Sequence, residues 1–439
     1  MELNTSEAEV QIAGSRRWKL LFALSVIVSF CINLYQSHQV VSPLDHVGSD
    51  MRGYVERAWR LAVADPFTNY DTFFPPGTHF VFAILFRILG FAKGMRALVV
   101  IQAAMLAAAN GMLGLTAAHL FRSWKSAALV TLFASLNLSF VFLSSFFMSE
   151  PLFILVFLLA QYFFIRAVQY RGAHFRFFVL GYLLAVGFLI RGQAICLAVP
   201  IGLFFVSKRG WPFWSFLPAM VVGFLPLIVL QIALNSSITG KFSPFLSSND
   251  GWALYMAQSR HEAVGCLDVK GGYFYYFCNN NSFFESRFLP PVTLPTAVTD
   301  VEYFRNKTKE LWRNDPLLQV IRGLKSVTEL FTFEPRWPAR NVMRLQKYDI
   351  ACEWLLFVFG TVPAVFALVT AVRRGSYRWE AFFLVSPILM VAFMSFFYSG
   401  QPRYLVPFQY NWFLLAVPAY TRFAALFRTS DNSKSAYVA

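Results

Sequence analysis

Ser149-Glu-Pro-Leu-Phe-Ile-Leu-Val-Phe-Leu-Leu-Ala-Gln-Tyr-Phe-Phe-Ile-Arg166 carries no charge between its glutamate and its arginine. About 18 or more apolar residues in a row mark a helix able to cross the hydrocarbon core of a bilayer. Similar runs recur along the 439-residue chain, which is 57% hydrophobic and 14% charged. Soluble domains sit near roughly 45–50% and about 25%. The fold class that follows is an all-α polytopic membrane protein. Helices pair their backbone groups internally, and nothing alternates as the strands of a membrane barrel do.

The chain has 38 Lys and Arg against 23 Asp and Glu, a net charge of +15. These bases fall in short gaps between apolar runs, as in cytoplasmic loops, and form no contiguous face for nucleic acid. Arg16, Arg17 and Lys19 precede the first run and place the N-terminus in the cytoplasm, so the first loop is outside. Arg122 with Lys125, Lys208 with Arg209, and Arg373 with Arg374 all fall on the cytoplasmic side only if Phe80–Phe91 does not span. That segment is about a dozen residues long, too short to cross easily, and is expected to be interfacial or re-entrant.

The expected spans are 19–38, 96–121, 126–143, 150–168, 176–190, 193–207, 212–233, 350–371, 379–397 and 403–425. The chain divides into a cytoplasmic tail 1–18, a catalytic membrane module 19–234 with outer loop 39–95, an outer cap 235–348, C-terminal helices 349–425 and a second cytoplasmic tail 426–439. The expected location is a bacterial inner or cell membrane, multi-pass, with the active site on the outer face.

Scarce carboxylates concentrate in the first loop, where Asp45, Asp50, Glu56, Asp65 and Asp71 lie together. Asp50, with Tyr54 at i+4, suits a helix start, where it would be a cap or a base that takes a proton from an acceptor hydroxyl. Asp45 is the rival base. Glu150 is an acid at a helix start or a functional charge at membrane depth. Arg191 and Arg403 lie on the outer side, where orientation rules do not call for them, and suit headgroups, pairing with Glu150 or a bound phosphate. Lys241, Arg260, Arg336 and Arg340 are weaker candidates. His79, after Pro75-Pro76-Gly77, could reach the site from a turn. Cys266 and Cys278 in the cap are a candidate disulfide if that loop faces an oxidising compartment. No Gly-rich phosphate loop, acidic pair for a nucleotide-sugar metal or His/Cys cluster is present, so no metal or cofactor is expected. An activated sugar on a lipid phosphate fits the outward site better than a nucleotide.

The order Ser49-Asp50-x-x-x-Tyr54, Phe74-Pro-Pro-Gly77, Ser149-Glu-Pro-Leu-Phe153, Gly187-x-x-x-Arg191 and Pro402-Arg-Tyr-Leu-x-Pro407 resembles the GT-C membrane glycosyltransferases. The likeness is to the branch of protein O-mannosyltransferases and the lipid A aminoarabinose transferase. It implies a bundle of about ten helices, a long first outer loop with interfacial helices, and a polyprenyl-phosphate sugar donor. It also implies Asp50 and Glu150 as the loop acids and Arg191 and Arg403 at the donor phosphate; Asp45, Tyr54, His79 and Tyr404 are expected beside them in support. The expected reaction is inverting, metal-independent transfer to an acceptor hydroxyl. The rivals are a transporter or flippase for an anionic substrate, which would favour inverted repeats that are absent here, and a glycan ligase or polymerase. A topology reporter fused after Lys93 is expected to report the outer side. A cytoplasmic signal there would overturn the threading.

Overall fold

The computed structural model describes residues 16–435 except 48–49, 66–71, 170–173, 208–211, 241, 243–245, 260, 270–271, 280–286, 289–291, 295, 333–342, 375–377 and 399. The first part of the bundle comprises α1 (Arg16–Tyr35), α2 (Asp50–Ala62), α3 (Gly77–Leu89), α4 (Phe91–Phe121), α5 (Trp124–Leu136), α6 (Leu138–Val141), α7 (Glu150–Gln169), α8 (His174–Ile190), α9 (Ile195–Ser207) and α10 (Leu217–Thr239). The cap follows with α11 (Asn249–Ser259), β1 (His261–Val269), β2 (Gly272–Asn279), β3 (Arg287–Phe288), β4 (Val292–Leu294), α12 (Val301–Asn314) and α13 (Pro316–Leu330). The chain ends in α14 (Met343–Leu356), α15 (Val362–Arg374), α16 (Arg378–Phe397) and α17 (Val406–Ser435).

Six helices among the described residues are long and apolar enough to cross a membrane, or seven if the bent pair around Asn137 counts as one span. Six of the ten expected spans fall on these helices, 126–143 on the bent pair, 176–190 and 193–207 on shorter apolar helices, and 403–425 on α17, which is not one of the six. The chain is a multi-pass integral membrane protein. Its helical bundle is supplemented by a small sheet in the cap, in which β2 pairs antiparallel with β1, β3 and β4.

Membrane packing explains an inverted pattern in α1. Leu20, Leu24, Ile27 and Val28 face outward, while Ser25, Ser29, Asn33 and Ser37 are buried. Lipid supplies the apolar surroundings, so small polar residues can become the contact face between helices. Asn110 Nδ2 donates to Ser29 Oγ at 2.8 Å, and Ser144 Oγ donates to the Asn33 carbonyl at 3.0 Å. Gln36 Nε2 reaches Ser145 Oγ at 3.3 Å.

The expected span 126–143 is broken instead of continuous. Asn137 takes extended backbone, its Oδ1 accepts the Ser139 N–H at 2.9 Å, and the two halves bend by 70°. Local side-chain capping of this kind competes with helical hydrogen bonding. The break turns Phe146, Phe147 and Met148 into the packing between the first loop and α4.

The first loop carries two helices, α2 and α3. Met51, Tyr54, Val55, Ala58 and Ala62 make one buried face of α2, and Arg52 and Glu56 lie on its exposed side. This face packs on Phe82, Phe86, Leu98 and Phe147. The 13-residue α3 is shorter than the about 20 residues a perpendicular crossing needs.

Helices α8 and α10 approach through Gly181 and Gly223. A Cβ at Gly181 would lie 1.9 Å from the Met220 carbonyl oxygen, and one at Gly223 2.2 Å from that of Phe178. Gly181→Ala is expected to destabilise the protein by about 1–3 kcal/mol through overpacking. Gly202→Ala, where the added atom meets nothing within 4 Å, serves as the control. Equal thermal-unfolding midpoints in detergent for the two variants would show that the seam is not close-packed.

Candidate active site

Four remote pieces of chain meet at one end of the bundle: the start of α2, the start of α7, the break between α8 and α9, and the turn before α17. Glu150 opens α7 and is 2% exposed. Its Oε1 lies 2.6 Å from Arg191 Nη1. Arg191 stands where α8 stops, in extended backbone ahead of the short turn Gly192–Ala194. A buried pair of this kind recovers its desolvation only when the remaining hydrogen-bonding positions are also filled.

Ser149 fills them. Its Oγ accepts from Arg191 Nη1 at 2.9 Å and from Tyr54 OH at 3.2 Å, and donates to Glu150 Oε2 at 3.4 Å. A hydroxyl has one proton and two lone pairs, so Ser149 is fully used. Arg191 Nε donates to Gln193 Oε1 at 3.0 Å, and Gln193 Nε2 reaches the Tyr404 carbonyl at 3.3 Å. Burial pushes the Tyr54 phenol up to about 12. It therefore remains a neutral donor through the physiological range.

Asp50 and Arg403 make a looser second pair. Arg403 Nη1 lies 3.4 Å from Asp50 Oδ2, and Asp50 is 34% exposed against 14% for Arg403. Charge-assisted N–H to carboxylate bonds are ordinarily about 2.7–2.9 Å. Tyr404 lies between the two guanidiniums, whose carbons stand 5.8 Å (Arg191) and 5.1 Å (Arg403) from its ring centroid. Its hydroxyl also accepts from Arg403 Nη2 at 3.4 Å. The π face and two carboxylates offset the repulsion between two cations.

The cap holds the turn that carries Arg403. Gln258 Nε2 on α11 donates to the Phe397 carbonyl at 2.7 Å and to that of Phe396 at 3.2 Å, filling acceptors at the end of α16. Tyr398 OH donates to Asp250 Oδ1 at 2.5 Å, and Asp250 also pairs with Arg305 of α12. Asp300 and Asp315 cap α12 and α13 through the backbone N–H groups of Tyr303 and Leu318.

Asp50, Glu150, Arg191, Arg403, Tyr54 and Tyr404 thus come together. Asp45 does not join them: it is exposed next to His46. His79 is buried with its ring stacked on Phe80, in a neighbouring cleft. The register sets Cys266 opposite Tyr275 and Cys278 opposite Glu262. The side chains of Cys266 and Cys278, the expected bridge, lie outside the described residues. Ser49, Asp71, Lys241, Arg260, Arg336 and Arg340 lie outside the described residues. Ser149 and Gln193 were missed as site members. Ser149 reads in sequence as an ordinary helix cap, and Gln193 signals itself only as part of the polar break Arg191-Gly-Gln193. No group of three or more His, Cys, Asp or Glu converges as for a metal among the described residues.

A family model described as dolichyl-phosphate-mannose-protein mannosyltransferase matches residues 74–233. The fold matches the apo oligosaccharyltransferase of Archaeoglobus fulgidus with a TM-score of 0.54 and 14% identity, over 96% of this chain and 53% of that one. The same protein tethered to an acceptor peptide containing the NVT sequon gives 0.48 and 13%, over 95% and 51%. ArnT from Cupriavidus metallidurans bound to undecaprenyl phosphate gives 0.39 and 13%, over 94% and 79%. The chain spans about half the length of the oligosaccharyltransferase it matches. No curated protein matches. The fold is shared with that oligosaccharyltransferase.

Glu150→Gln and Arg191→Met are each expected to destabilise the protein by about 3–5 kcal/mol, because each leaves a buried charge unpaired. The double variant is expected to be less destabilised than the sum of the singles. Strict additivity in thermal melts would show that the two side chains do not act as a pair.

Proposed function

We propose that this protein transfers a glycosyl group from a polyprenyl-phosphate donor to an acceptor hydroxyl at the outer face of the membrane. The observation that carries the proposal is the meeting of Asp50, Glu150, Arg191 and Arg403 from four distant segments at one end of a GT-C bundle. The family match supports the donor class, since its description names a dolichyl phosphate, itself a polyprenyl phosphate.

The two ion pairs differ in firmness, and that difference assigns roles. Glu150 and Ser149 hold Arg191 in place, so Glu150 acts by positioning. Arg403 is held loosely by Asp50, and a phosphate competes for its planar donor fork. Once Arg403 turns to the phosphate, the Asp50 carboxylate is released to act as base. Donor binding and base activation are thereby coupled.

In the reaction, Asp50 accepts the proton of the acceptor hydroxyl as its oxygen attacks the anomeric carbon. The bond from that carbon to the phosphate oxygen breaks, and its electron pair leaves with the polyprenyl phosphate. Arg403 and Arg191 stabilise the charge of the leaving group where it develops. One displacement inverts the anomeric centre. Positive charge at the phosphate comes from the guanidiniums, so turnover needs no added divalent metal.

Purified protein with a polyprenyl-phosphate sugar and an acceptor extract is expected to release polyprenyl phosphate, with or without a chelator. Asp50→Asn should lower turnover by about 10²–10⁴-fold, as expected for loss of a general base, while donor binding persists. Arg403→Ala should weaken donor binding. Full turnover by Asp50→Asn would remove it as the base, and loss of turnover with chelator would overturn the metal-independent step.

A further inference from the structure

Helix α13 of the cap is amphipathic the wrong way round for water. Its buried side carries Gln319, Gly323 and Ser326 with Leu330, while Leu317, Ile321 and Leu324 are 68%, 53% and 56% exposed. Residues 317, 321 and 324 recur at i, i+4 and i+7, so they form one outward stripe, with Val320 exposed beside it. The spanning helix α1 shows the same inversion, with small and polar residues as the protein contact and apolar residues left to lipid.

This helix is not itself a span. Its 15 residues reach about 22 Å, against about 30 Å of hydrocarbon, and Arg322, Lys325 and Glu329 lie within it. Such a helix lies in the plane of the interface, with its apolar face in the acyl boundary and its charges toward the headgroups. Lys325 is exposed on its flank, 4.0 Å from Glu329, and Arg313 is exposed just ahead of it.

The outward stripe continues from the lipid-facing surface of α16, on which Leu389 and Phe393 are exposed. The Phe393 ring lies edge-on to Phe397 with centroids 5.5 Å apart, and Phe397 lies 6.3 Å from Trp312, in the last turn before α13. Tryptophan is enriched at the boundary between membrane and water. The inner side of α13 closes on the same end of α16. A Cβ at Gly323 would lie 2.7 Å from the Phe396 carbonyl oxygen, and Gly400 stands too near the Ser326 carbonyl to carry one. Gly400 leads directly into the turn Pro402–Tyr404 that presents Arg403.

We propose that α13 lies in the lipid interface on the cap side of the membrane, with Leu317, Ile321 and Leu324 among the acyl chains, and that this anchor sets the depth of the Arg403 turn. The partner is bilayer lipid, because the stripe runs on from a spanning helix and Arg313 and Lys325 stand where phosphate headgroups would meet them. The anchor stands on the geometry of α13; its consequence for Arg403 rests on the function proposed above.

The test uses full-length protein in nanodiscs of phosphatidylethanolamine and phosphatidylglycerol. p-Benzoylphenylalanine replaces Ile321, Leu324, Phe393 or Glu310, and mass spectrometry of the intact chain reads the adducts after irradiation. Positions 321 and 324 are expected to gain the mass of one phospholipid, as position 393 does on the span, while Glu310, exposed on α12, gains none. Three results overturn the anchor: no lipid adduct at 321 and 324 while 393 is labelled, crosslinks there to this chain or to a second copy, or equal labelling at 310.

Ile321→Glu with Leu324→Glu sets two carboxylates against the acyl layer, and Leu317→Glu at the helix start is the milder form. Both are expected to melt as wild type does in detergent and to lose several-fold in affinity for polyprenyl phosphate in nanodiscs. Unchanged affinity beside lipid adducts at 321 and 324 strikes the link to Arg403. Lipid adducts without any lipid-donor turnover keep the anchor and remove the transferase. Turnover without lipid adducts at 321 and 324 keeps the transferase and removes the anchor.

Discussion

The buried ion pair between Glu150 and Arg191 is the constraint on which the rest of the site depends. A carboxylate that is 2% exposed at the head of a membrane helix is tolerable only with its charge and lone pairs satisfied. Arg191 supplies the charge and Ser149 completes the hydrogen bonds. Each partner is tied to a further segment. Tyr54 brings in α2, Gln193 brings in the backbone of Tyr404, and Tyr404 brings in Arg403. One desolvated pair thus fixes the relative positions of α2, α7, the α8–α9 break and the turn before α17.

The surrounding architecture protects this junction from both sides. On one side, side-chain hydrogen bonds from the polar stripe of α1 hold that helix to α4, α5 and the segment after the break at Asn137. On the other, the cap grips the end of α16 through Gln258 and Asp250. Arg403 therefore projects from a held turn although its own contact with Asp50 is long. A firm pair beside a loose one suits a site in which one arginine is fixed and another exchanges partners.

Much of the fold was legible because lipid imposes a simple rule on sequence. Apolar runs had to be helices, and six of the ten expected spans fall on helices long and apolar enough to cross a membrane. What periodicity missed was interruption. The apolar stretch 126–143 gives no sign in hydropathy that Asn137 would cap Ser139 and bend the helix. The antiparallel strands of the cap were also hidden, because Tyr273-Phe-Tyr-Tyr-Phe277 has no alternation.

By itself the sequence determined a helical membrane protein, an acidic first loop, and a short set of charged residues worth examining. Composition and charge placement carry that information locally, since burying or exposing a charge in a membrane is decided residue by residue. Only the tertiary structure decided which charges meet. It joined Asp50 rather than Asp45 to Arg403, made Glu150 the partner of Arg191, and turned Ser149 from a helix cap into the hub between them. Those choices depend on contacts between residues 42, 95 and 353 positions apart, and no local pattern encodes the distance between side chains so remote in the chain.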